Sequence, residues 1–327
     1  MKTESPPSEL PIPFQFESIF GASLVMREIV KLIMEAAAVD IPVLITGETG
    51  TGKELVAEAI QKRSKRRDFP YVAVNTGAIS HELITSELFG HERGSYTGAA
   101  VAHTGFFEQA NRGTIFLDEI STMDEKSQIC LLRVLETKTF RRVGGLKDIH
   151  VDVRVIAATN ENLDDAVSGK RFREDLFYRL DVFRIHLPPL RHRPGAIDLL
   201  TDHFVAQFSE QFQKDIRRVS PEAYRYMRLY PWPGNVRELK NVLQRAVLNA
   251  TGQEFTPDLL PGRIRDQGEL KTLVDGLRLR VGMTLQSAEK ELIRMTLGFT
   301  KGNKKAAGEM LGISRRALYN KLKKYGL

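Results

Sequence analysis

The sequence predicts an α/β fold in which a parallel sheet lies between helices, followed by a helical subdomain and a separate all-α domain at the C-terminus. From about Glu17 to residue 189, short apolar runs alternate with amphipathic helical patterns, and this alternation is typical of parallel sheets covered on both faces. Residues 190–262 continue with helical patterns alone, residues 263–283 show no firm periodicity, and residues 284–327 are helical again. We therefore expect an α/β domain with a helical lid, a linker and a small terminal domain.

Composition narrows the class of protein. The chain of 327 residues is 42% hydrophobic and 27% charged, which is typical of a folded globular protein. Its single cysteine, Cys130, excludes an intramolecular disulfide and fits the reducing cytoplasm. Residues 1–16 are proline-rich and predict an extended tail without the apolar core of a signal peptide. No apolar run reaches the length of a membrane span, so we expect a cytoplasmic protein.

The positive charge is concentrated at the C-terminus. Residues 301–327 contain eight Lys or Arg and a single acid, Glu309, which accounts for the whole net charge of +7. A short basic segment of this kind suggests a polyanionic partner, DNA first. A solvated helix face is the alternative explanation for a charge run.

The elements of the first domain follow from hydrophobic periodicity. Strands are expected at Val43–Thr46, Tyr71–Val74, Thr114–Leu117, Val153–Ala157 and Val182–Ile185. Helices are expected at Leu24–Ala38, Leu55–Ser64, Lys126–Glu136, Ala196–Phe212, Glu222–Leu229 and Val236–Asn249.

A glycine-rich loop joins the first of these strands to the next helix. It consists of Gly47, Glu48, Thr49, Gly50, Thr51, Gly52, Lys53 and Glu54. Strand, glycine-rich loop and helix form a P-loop, in which glycines let the backbone wrap a phosphate and the helix N-terminus attracts the anion. Lys53 would reach the β- and γ-phosphates. Glu54 takes the place of the usual Ser or Thr, so a direct hydroxyl contact to Mg²⁺ is missing there.

Two carboxylates end a buried strand. Asp118 and Glu119 follow the apolar run from Thr114 to Leu117, and ligands of α/β sheets bind at the carboxyl ends of strands. Asp118 would hold Mg²⁺ directly or through water, and Glu119 would polarise the attacking water. An acidic helix N-terminus is the alternative, but a position downstream of a P-loop favours a Walker B element.

Other polar residues have both structural and functional explanations. Thr159 and Asn160 end the strand that begins at Val153; they could form an ordinary turn or sense the γ-phosphate. Arg173 and Arg179 flank two acids, Glu174 and Asp175. Local ion pairs explain them most simply, although an arginine from a neighbouring subunit can stabilise phosphoryl transfer.

A turn before the last helix of the lid carries a further arginine. The stretch Pro231–Leu239 predicts a turn leading into a helix, with Asn235 as its N-cap. Arg237 would then lie in the first turn, where the helix dipole disfavours a cation. A bound nucleotide would supply the anion that this arginine needs.

A loop between the first two nucleotide motifs contains an aromatic residue between glycines. Its sequence is Gly94, Ser95, Tyr96, Thr97, Gly98 and Ala99. Such residues usually belong to ordinary loops, but an exposed aromatic tip also suits the gripping of a protein partner.

The terminal helices predict a helix-turn-helix. Thr284–Leu297 and Lys304–Leu311 form the first two helices, Gly312 makes the turn, and Ser314 caps the third helix. The third helix would present Arg315, Arg316, Tyr319, Asn320 and Lys323 to a major groove. A purely structural three-helix cap is the alternative.

In combination, these motifs resemble bacterial enhancer-binding proteins, the AAA+ activators of the sigma-54 form of RNA polymerase known as the NtrC family. The resemblance rests on Gly47–Glu54, Glu87–Ala99, Gly113–Glu119, Phe172–Leu180 and Trp232–Leu239. It covers roughly Glu17–Leu260 and resumes in the terminal helices, which resemble a Fis-type domain that binds DNA as a dimer. In that family GETGTGKE is the usual P-loop, so Glu54 is typical.

The resemblance implies a role for each motif, with ATP and Mg²⁺ as cofactors. It assigns Asp118 and Glu119 to Mg²⁺ binding and hydrolysis, Asn75 to a switch that partners Glu119, Thr159 and Asn160 to sensor I, Arg173 and Arg179 to arginine fingers acting in trans, and Arg237 to sensor II. The loop Gly94–Ala99 would contact sigma-54. The usual sequence of this loop in the family is GAFTGA, whereas this chain has GSYTGA. Ser95 and Tyr96 therefore depart from the family pattern.

These assignments predict an ATP-driven activator that forms a ring, from dimer to hexamer, on upstream enhancer DNA. Hydrolysis would remodel the closed complex of sigma-54 RNA polymerase into an open one. Relatives often carry an N-terminal regulatory domain, and a 16-residue tail is too short for one. We therefore expect control by a separate regulatory protein, control by abundance, or constitutive activity. The alternatives are a nucleotide-controlled DNA-binding regulator or repressor that does not engage sigma-54, and an AAA+ remodeller of other proteins.

Overall fold

The computed structural model describes residues 14–21, 23–95, 101–266, 284–300 and 302–326. The chain divides into two compact units. The first contains the residues up to Gln213 together with Pro231–Leu248, and the second contains Lys214–Tyr230 together with the residues from Asn249 onward.

The first unit is built on a parallel sheet of five strands in the order β4-β5-β8-β3-β9. The sheet contains β3 (Val43–Thr46), β4 (Tyr71–Asn75), β5 (Thr114–Asp118), β8 (Arg154–Thr159) and β9 (Arg184–His186). Two separate antiparallel pairs belong to the same unit: β1 (Phe14–Phe16) with β2 (Ile19–Gly21), and β6 (Thr139–Phe140) with β7 (Ile149–His150). Its helices are α1 (Leu24–Ala38), α2 (Lys53–Arg63), α3 (Ile84–Phe89), α4 (Phe106–Gln109), α5 (Glu125–Thr137), α6 (Leu163–Ser168), α7 (Glu174–Leu180), α8 (Ala196–Gln211) and, but for its last residue, α10 (Asn235–Asn249). The predicted α/β fold is confirmed.

Both faces of the sheet are buried, as the apolar strand patterns require. Along β5, Ile115 and Leu117 pack into the core on one face, and Phe116 packs into the core on the other. In β3, Leu44 and Ile45 divide in the same way. Because successive side chains of a strand point to opposite faces, a strand with helices on both sides is apolar throughout.

The second unit contains β10 (Arg218–Val219), α9 (Pro221–Leu229), β11 (Glu254–Phe255), α11 (Leu285–Phe299), α12 (Lys304–Met310) and α13 (Arg315–Tyr325). Its last three helices share a small core of Ile293, Ala307, Leu318 and Leu322. The predicted cap is present, since Ser314 Oγ accepts from Ala317 N at 3.2 Å. Gly312 adopts a φ of 66° in the turn before it, as expected for a left-handed turn residue. The predicted helix-turn-helix is confirmed.

Two expected boundaries are wrong. Phe14–Phe16 is not part of the tail but forms β1, pairing antiparallel with β2; the alternation of phenylalanines around Gln15 lets both rings pack against the core. Residues 263–266, expected to be linker, are helical, and Ile264 within them is fully buried. The rest of the expected tail and linker lies outside the described residues. Within the described ranges, no helix is both long and apolar enough to cross a membrane.

Candidate active site

The P-loop connects the end of β3 to the start of α2, where the sequence predicts it. Gly47, Gly50 and Gly52 all have positive φ values, of 153°, 78° and 101°, and the last directly precedes Lys53, the first residue of α2. The Lys53 ammonium donates to Gly47 O at 2.9 Å and to Glu48 O at 3.3 Å. The loop therefore holds its lysine folded back over its own backbone, next to a helix N-terminus that favours an anion.

The acidic pair lies at the carboxyl end of β5, beside this lysine. Burial lowers the pKa of Lys53, whereas the nearby Asp118 and Glu119 carboxylates act in the opposite direction. Asp118 Oδ1 accepts from Glu119 N at 3.0 Å. Glu119 has a left-handed φ of 57°, which turns the chain sharply at the end of the strand. The lysine and both carboxylates line one cleft of about 840 Å³.

Asn75 and Glu119 meet around a glycine but do not bond to each other. Asn75 pairs with Asp118 across the sheet, and its Oδ1 accepts from Ala78 N at 3.1 Å. A Cβ at Gly77 would lie 2.1 Å from Glu119 Oε2 and 3.3 Å from Asn75 Oδ1. The two side chains thus flank Gly77.

Asn160, at the end of β8, contacts the P-loop. Its Nδ2 donates to Thr49 Oγ1 at 3.1 Å, and together with Gly47 and Glu48 it lines a second cavity of about 300 Å³ on the neighbouring edge of the sheet. Thr159 is fully buried and donates to Ser121 Oγ at 3.3 Å. Thr159 O also accepts from Gly47 N at 3.3 Å, so the main chain of Thr159 and the side chain of Asn160 both contact the phosphate loop.

Arg237 extends into the main cleft from the first turn of α10. Its guanidinium is close enough to Lys53 to lower the pKa of that lysine further. Its backbone N–H, like that of Val236, donates to Gly50 O, at distances of 3.3 and 3.0 Å. The first turn of α10 is therefore bonded directly to the phosphate loop.

The predicted N-cap role of Asn235 is wrong. Its side chain does not bond to its own helix: Oδ1 accepts from Leu190 N at 2.8 Å, and Nδ2 donates to Thr49 O at 3.0 Å and Glu48 Oε2 at 3.1 Å. Asn235 is fully buried and has a φ of 52°, which directs its amide away from α10. Glu238 instead accepts from Gly234 N at 2.9 Å.

Sequence reasoning missed Arg191 and Arg193, which lie just after β9. Arg191 forms a bidentate pair with the Glu48 carboxylate at 2.6 and 2.9 Å. Together with the Asn235 amide, this guanidinium lowers the pKa of Glu48 to about 2. Arg193 is buried and donates to Thr51 O at 2.9 Å, and burial lowers its pKa to about 10. The signal in the sequence that could have identified these two arginines is the basic cluster that they form just after the edge strand β9.

The two candidate arginine fingers lie at the two ends of α7, and neither lines the main cleft of its own chain. Arg173 precedes α7 and pairs with Asp175 at 3.1 and 2.7 Å. Arg179 lies in the last turn and is exposed. It has no hydrogen bond or ion pair with any residue that the structure describes. The local ion pair expected from the sequence is thus present for Arg173 and not for Arg179.

The loop assigned to sigma-54 contact has a fixed base. His91 and His103 exchange backbone hydrogen bonds of 3.1 and 2.9 Å, and Arg142 bridges Glu92 and Glu108 at 3.2 and 2.8 Å. The structure describes the first two residues of the loop, Gly94 and Ser95. The other four, Tyr96, Thr97, Gly98 and Ala99, lie outside the described residues. Ser95 packs closely against Gly144: a Cβ atom added to Gly144 would lie 2.6 Å from Ser95 Cβ.

The third helix of the terminal domain presents a basic, exposed face. The five predicted DNA contacts are all exposed: Arg315, Arg316, Tyr319, Asn320 and Lys323. The ring of Tyr319 lies 4.8 Å from Lys304 Nζ and 5.8 Å from the Arg315 guanidinium. Lys321, on the same helix, is instead held in an ion pair with Glu289.

Comparison with known proteins identifies each part of the chain. The Sigma-54 interaction domain matches residues 19–186, the AAA+ ATPase lid domain matches residues 191–274, and the bacterial regulatory protein Fis family matches residues 284–325. The chain is 44% identical to the regulatory protein AtoC of Escherichia coli over 96% of its length and 69% of that protein. It is also 44% identical to the nitrogen fixation protein AnfA of Azotobacter vinelandii, covering 58% of that protein.

Solved structures agree with this assignment. The crystal structure of NtrX from Brucella abortus in complex with ADP matches 94% of this chain and 70% of its own, with a TM-score of 0.71 and 34% identity. A second structure of NtrX, in complex with ATP, matches equally well, with a TM-score of 0.71. From its matched domains and the residues of its site, the chain belongs to the NtrC family of sigma-54-dependent transcription activators, and its P-loop domain is the AAA+ ATPase of that family.

Proposed function

We propose that this chain hydrolyses ATP to remodel sigma-54 RNA polymerase from a closed to an open promoter complex, while bound to upstream DNA. One observation carries the proposal. The Lys53 ammonium, the Asp118–Glu119 pair and Arg237 line a single cleft in a domain that matches the Sigma-54 interaction domain. A nucleotide-controlled DNA-binding regulator that ignores sigma-54 is not favoured, because that match covers the whole α/β part of the chain.

Each residue of the cleft has a separate role in ATP hydrolysis. Lys53 and the N–H groups of the P-loop bind the phosphates, and Arg237 adds a positive charge from the first turn of α10, which is bonded to the P-loop. Glu119 polarises the attacking water. Asn160, whose amide donates to Thr49 Oγ1, detects the terminal phosphate, and Asn75 restrains Glu119 when the Glu119 side chain moves across Gly77.

The side chains present fit a magnesium ion held mainly by phosphates. Mg²⁺ in nucleotide sites uses one or two carboxylates, with phosphate oxygens and waters as the other ligands. Asp118 Oδ2 has no hydrogen-bond partner among the described residues, whereas Oδ1 is occupied by Glu119 N. Asp118 would hold the ion, which would neutralise charge on the β- and γ-phosphates.

We propose that the active ATPase is a ring, a hexamer, in which α7 of one subunit faces the cleft of the next. The support is the placement of Arg179, which is exposed, unpaired within the described residues and outside its own cleft. An arginine supplied in trans stabilises charge that develops during phosphoryl transfer. Arg173 is assigned to the same surface, but its pairing with Asp175 must open before it can act.

Replacement of Thr97 by alanine tests the link to sigma-54. The base of the loop is held by the Arg142 bridges to Glu92 and Glu108, and none of these three residues lines the cleft that contains Lys53 and Asp118. We therefore expect Thr97→Ala to keep ATP hydrolysis within about twofold and to lose open-complex formation by at least about 100-fold. The measurement is open-complex formation by purified protein with sigma-54 polymerase and hydrolysable ATP. Normal activation by Thr97→Ala would remove the loop from the proposed mechanism.

Replacement of Arg315 and Arg316 by alanine tests the DNA interface. Each phosphate contact contributes roughly one unit to the slope of log affinity against log salt concentration. We expect the double variant to bind upstream DNA less tightly and with a slope smaller by about two per DNA-binding chain. Arg294→Ala is the matched control, because Arg294 lies on α11 and pairs with Glu291. An unchanged salt titration for the double variant would contradict the assignment of α13 to DNA.

A further inference from the structure

Four consecutive residues of the P-loop, Glu48 to Thr51, accept hydrogen bonds from residues outside the loop. Glu48 pairs with Arg191, Gly50 O accepts from Val236 and Arg237 N–H groups, and Thr51 O accepts from Arg193. Thr49 O accepts from the Asn235 amide. Because the carbonyls of Thr49, Gly50 and Thr51 are all bonded by groups from outside the loop, the loop is held in one conformation.

Asn235 is the residue where these connections converge. Its Nδ2 uses both hydrogens on the P-loop, at Glu48 and Thr49, and its Oδ1 holds Leu190 N in the turn that carries Arg191. The main chain leaving Asn235 then supplies the two N–H groups that bond Gly50 O. An amide is the side chain that this geometry requires, since it must donate twice and accept at the same time.

The packing at this point leaves no room for adjustment. Gly50 has a φ of 78°, and a Cβ there would lie 2.4 Å from Gly234 O and 3.0 Å from Arg237 Cβ. Asn235 itself is fully buried in a left-handed conformation, which costs free energy in a non-glycine residue and persists only where its surroundings fix it. The distance from the P-loop to the base of the Arg237 side chain is therefore set by Asn235.

We propose that Asn235 is a positioning residue for ATP hydrolysis, which acts by fixing Arg237 relative to the P-loop and does not itself touch the nucleotide. This inference rests on the proposed ATPase function. The residue that begins the helix decides whether Arg237 reaches a phosphate bound by Lys53.

A double-mutant cycle separates this role from a purely structural one. Asn235→Ala is expected to lower kcat/KM for ATP about tenfold in the otherwise native chain, because Arg237 is no longer held in place. In an Arg237→Ala background the same substitution is expected to change kcat/KM less than twofold, because the group that it positions is already gone. Asn249→Ala, an exposed asparagine at the other end of α10, is the matched control and should leave kcat/KM unchanged.

Equal losses in both backgrounds, or no loss in the native background, would overturn the proposal. If Asn235→Ala does not fold, as judged by circular dichroism and thermal unfolding, Asn235→Ser takes its place in the same cycle, because a hydroxyl retains one donor and one acceptor. Failure of the native chain to hydrolyse ATP would count against the ATPase function instead, so the two failures are distinguishable.

Discussion

Replacement of Lys53 by alanine is expected to lower the affinity for ATP by at least about 100-fold. Lys53 is 8% exposed and lies at the N-terminus of α2, beside two carboxylates. A charged hydrogen bond contributes roughly 1.5–3 kcal/mol, and two such bonds to phosphates correspond to about 100-fold or more in affinity. Titration of purified protein with a fluorescent ATP analogue measures this loss directly.

The same substitution should have little effect on the unfolding temperature in the absence of nucleotide. Burial of the ammonium opposes its charged form, as the direction of its pKa shift shows, and this cost offsets the hydrogen bonds to Gly47 O and Glu48 O. A variant that loses ATP binding but melts like the native chain therefore identifies Lys53 as a ligand-binding residue. A drop of many degrees would show that the lysine mainly supports the fold.

Asp118→Asn is the informative comparison for Lys53→Ala. The amide keeps the size of the side chain and can still accept from Glu119 N, but it removes the negative charge proposed to hold Mg²⁺. We expect this variant to bind ATP and to lose hydrolysis. Native affinity and native hydrolysis in Lys53→Ala would remove the P-loop lysine from the site, whatever the outcome for Asp118→Asn.

An element is predicted correctly from the sequence when the residues that determine it lie within the element or directly beside it. The strand Val43–Thr46 and the helix Leu24–Ala38 have the predicted bounds, because apolar periodicity and the flanking turn residues lie within the element itself. The strand Phe14–Phe16 was missed because it is very short and follows a proline-rich tail, so its pairing with Ile19–Gly21 depends on a core elsewhere in the chain.

Side-chain partners are harder to predict than elements. Asn235 stands where an N-cap is expected, yet it bonds to Leu190, Glu48 and Thr49. The choice between a local and a distant partner depends on which backbone groups the fold brings near. Arg191 gives no local sign of its pairing with Glu48, which lies 143 residues earlier in the chain. Motifs locate the phosphate site, but the network that fixes its geometry is a property of the folded chain.

Arg179→Ala is expected to lower kcat for ATP hydrolysis by about 1,000-fold or more, the usual contribution of an arginine finger. ATP affinity of the isolated subunit should stay close to native, because Arg179 lies on α7 and outside its own cleft. Arg173→Ala should have the smaller effect, since its guanidinium is already paired with Asp175. Arg67→Ala, which removes an exposed arginine paired with Asp68, is the matched control and should hydrolyse ATP normally.

Mixing two inactive variants decides whether Arg179 acts between subunits. A Lys53→Ala subunit retains its Arg179, and an Arg179→Ala subunit retains its Lys53, so a complete site forms only where the two types meet in the right order. In rings assembled at random from equal amounts, about a quarter of the sites are complete, because a ring joins each subunit to the next by the same head-to-tail contact. Recovery of hydrolysis to about that fraction of the native rate would show that the finger acts in trans. No recovery in assembled mixed rings would place Arg179 in the cleft of its own subunit, and normal hydrolysis by Arg179→Ala alone would exclude it as a finger.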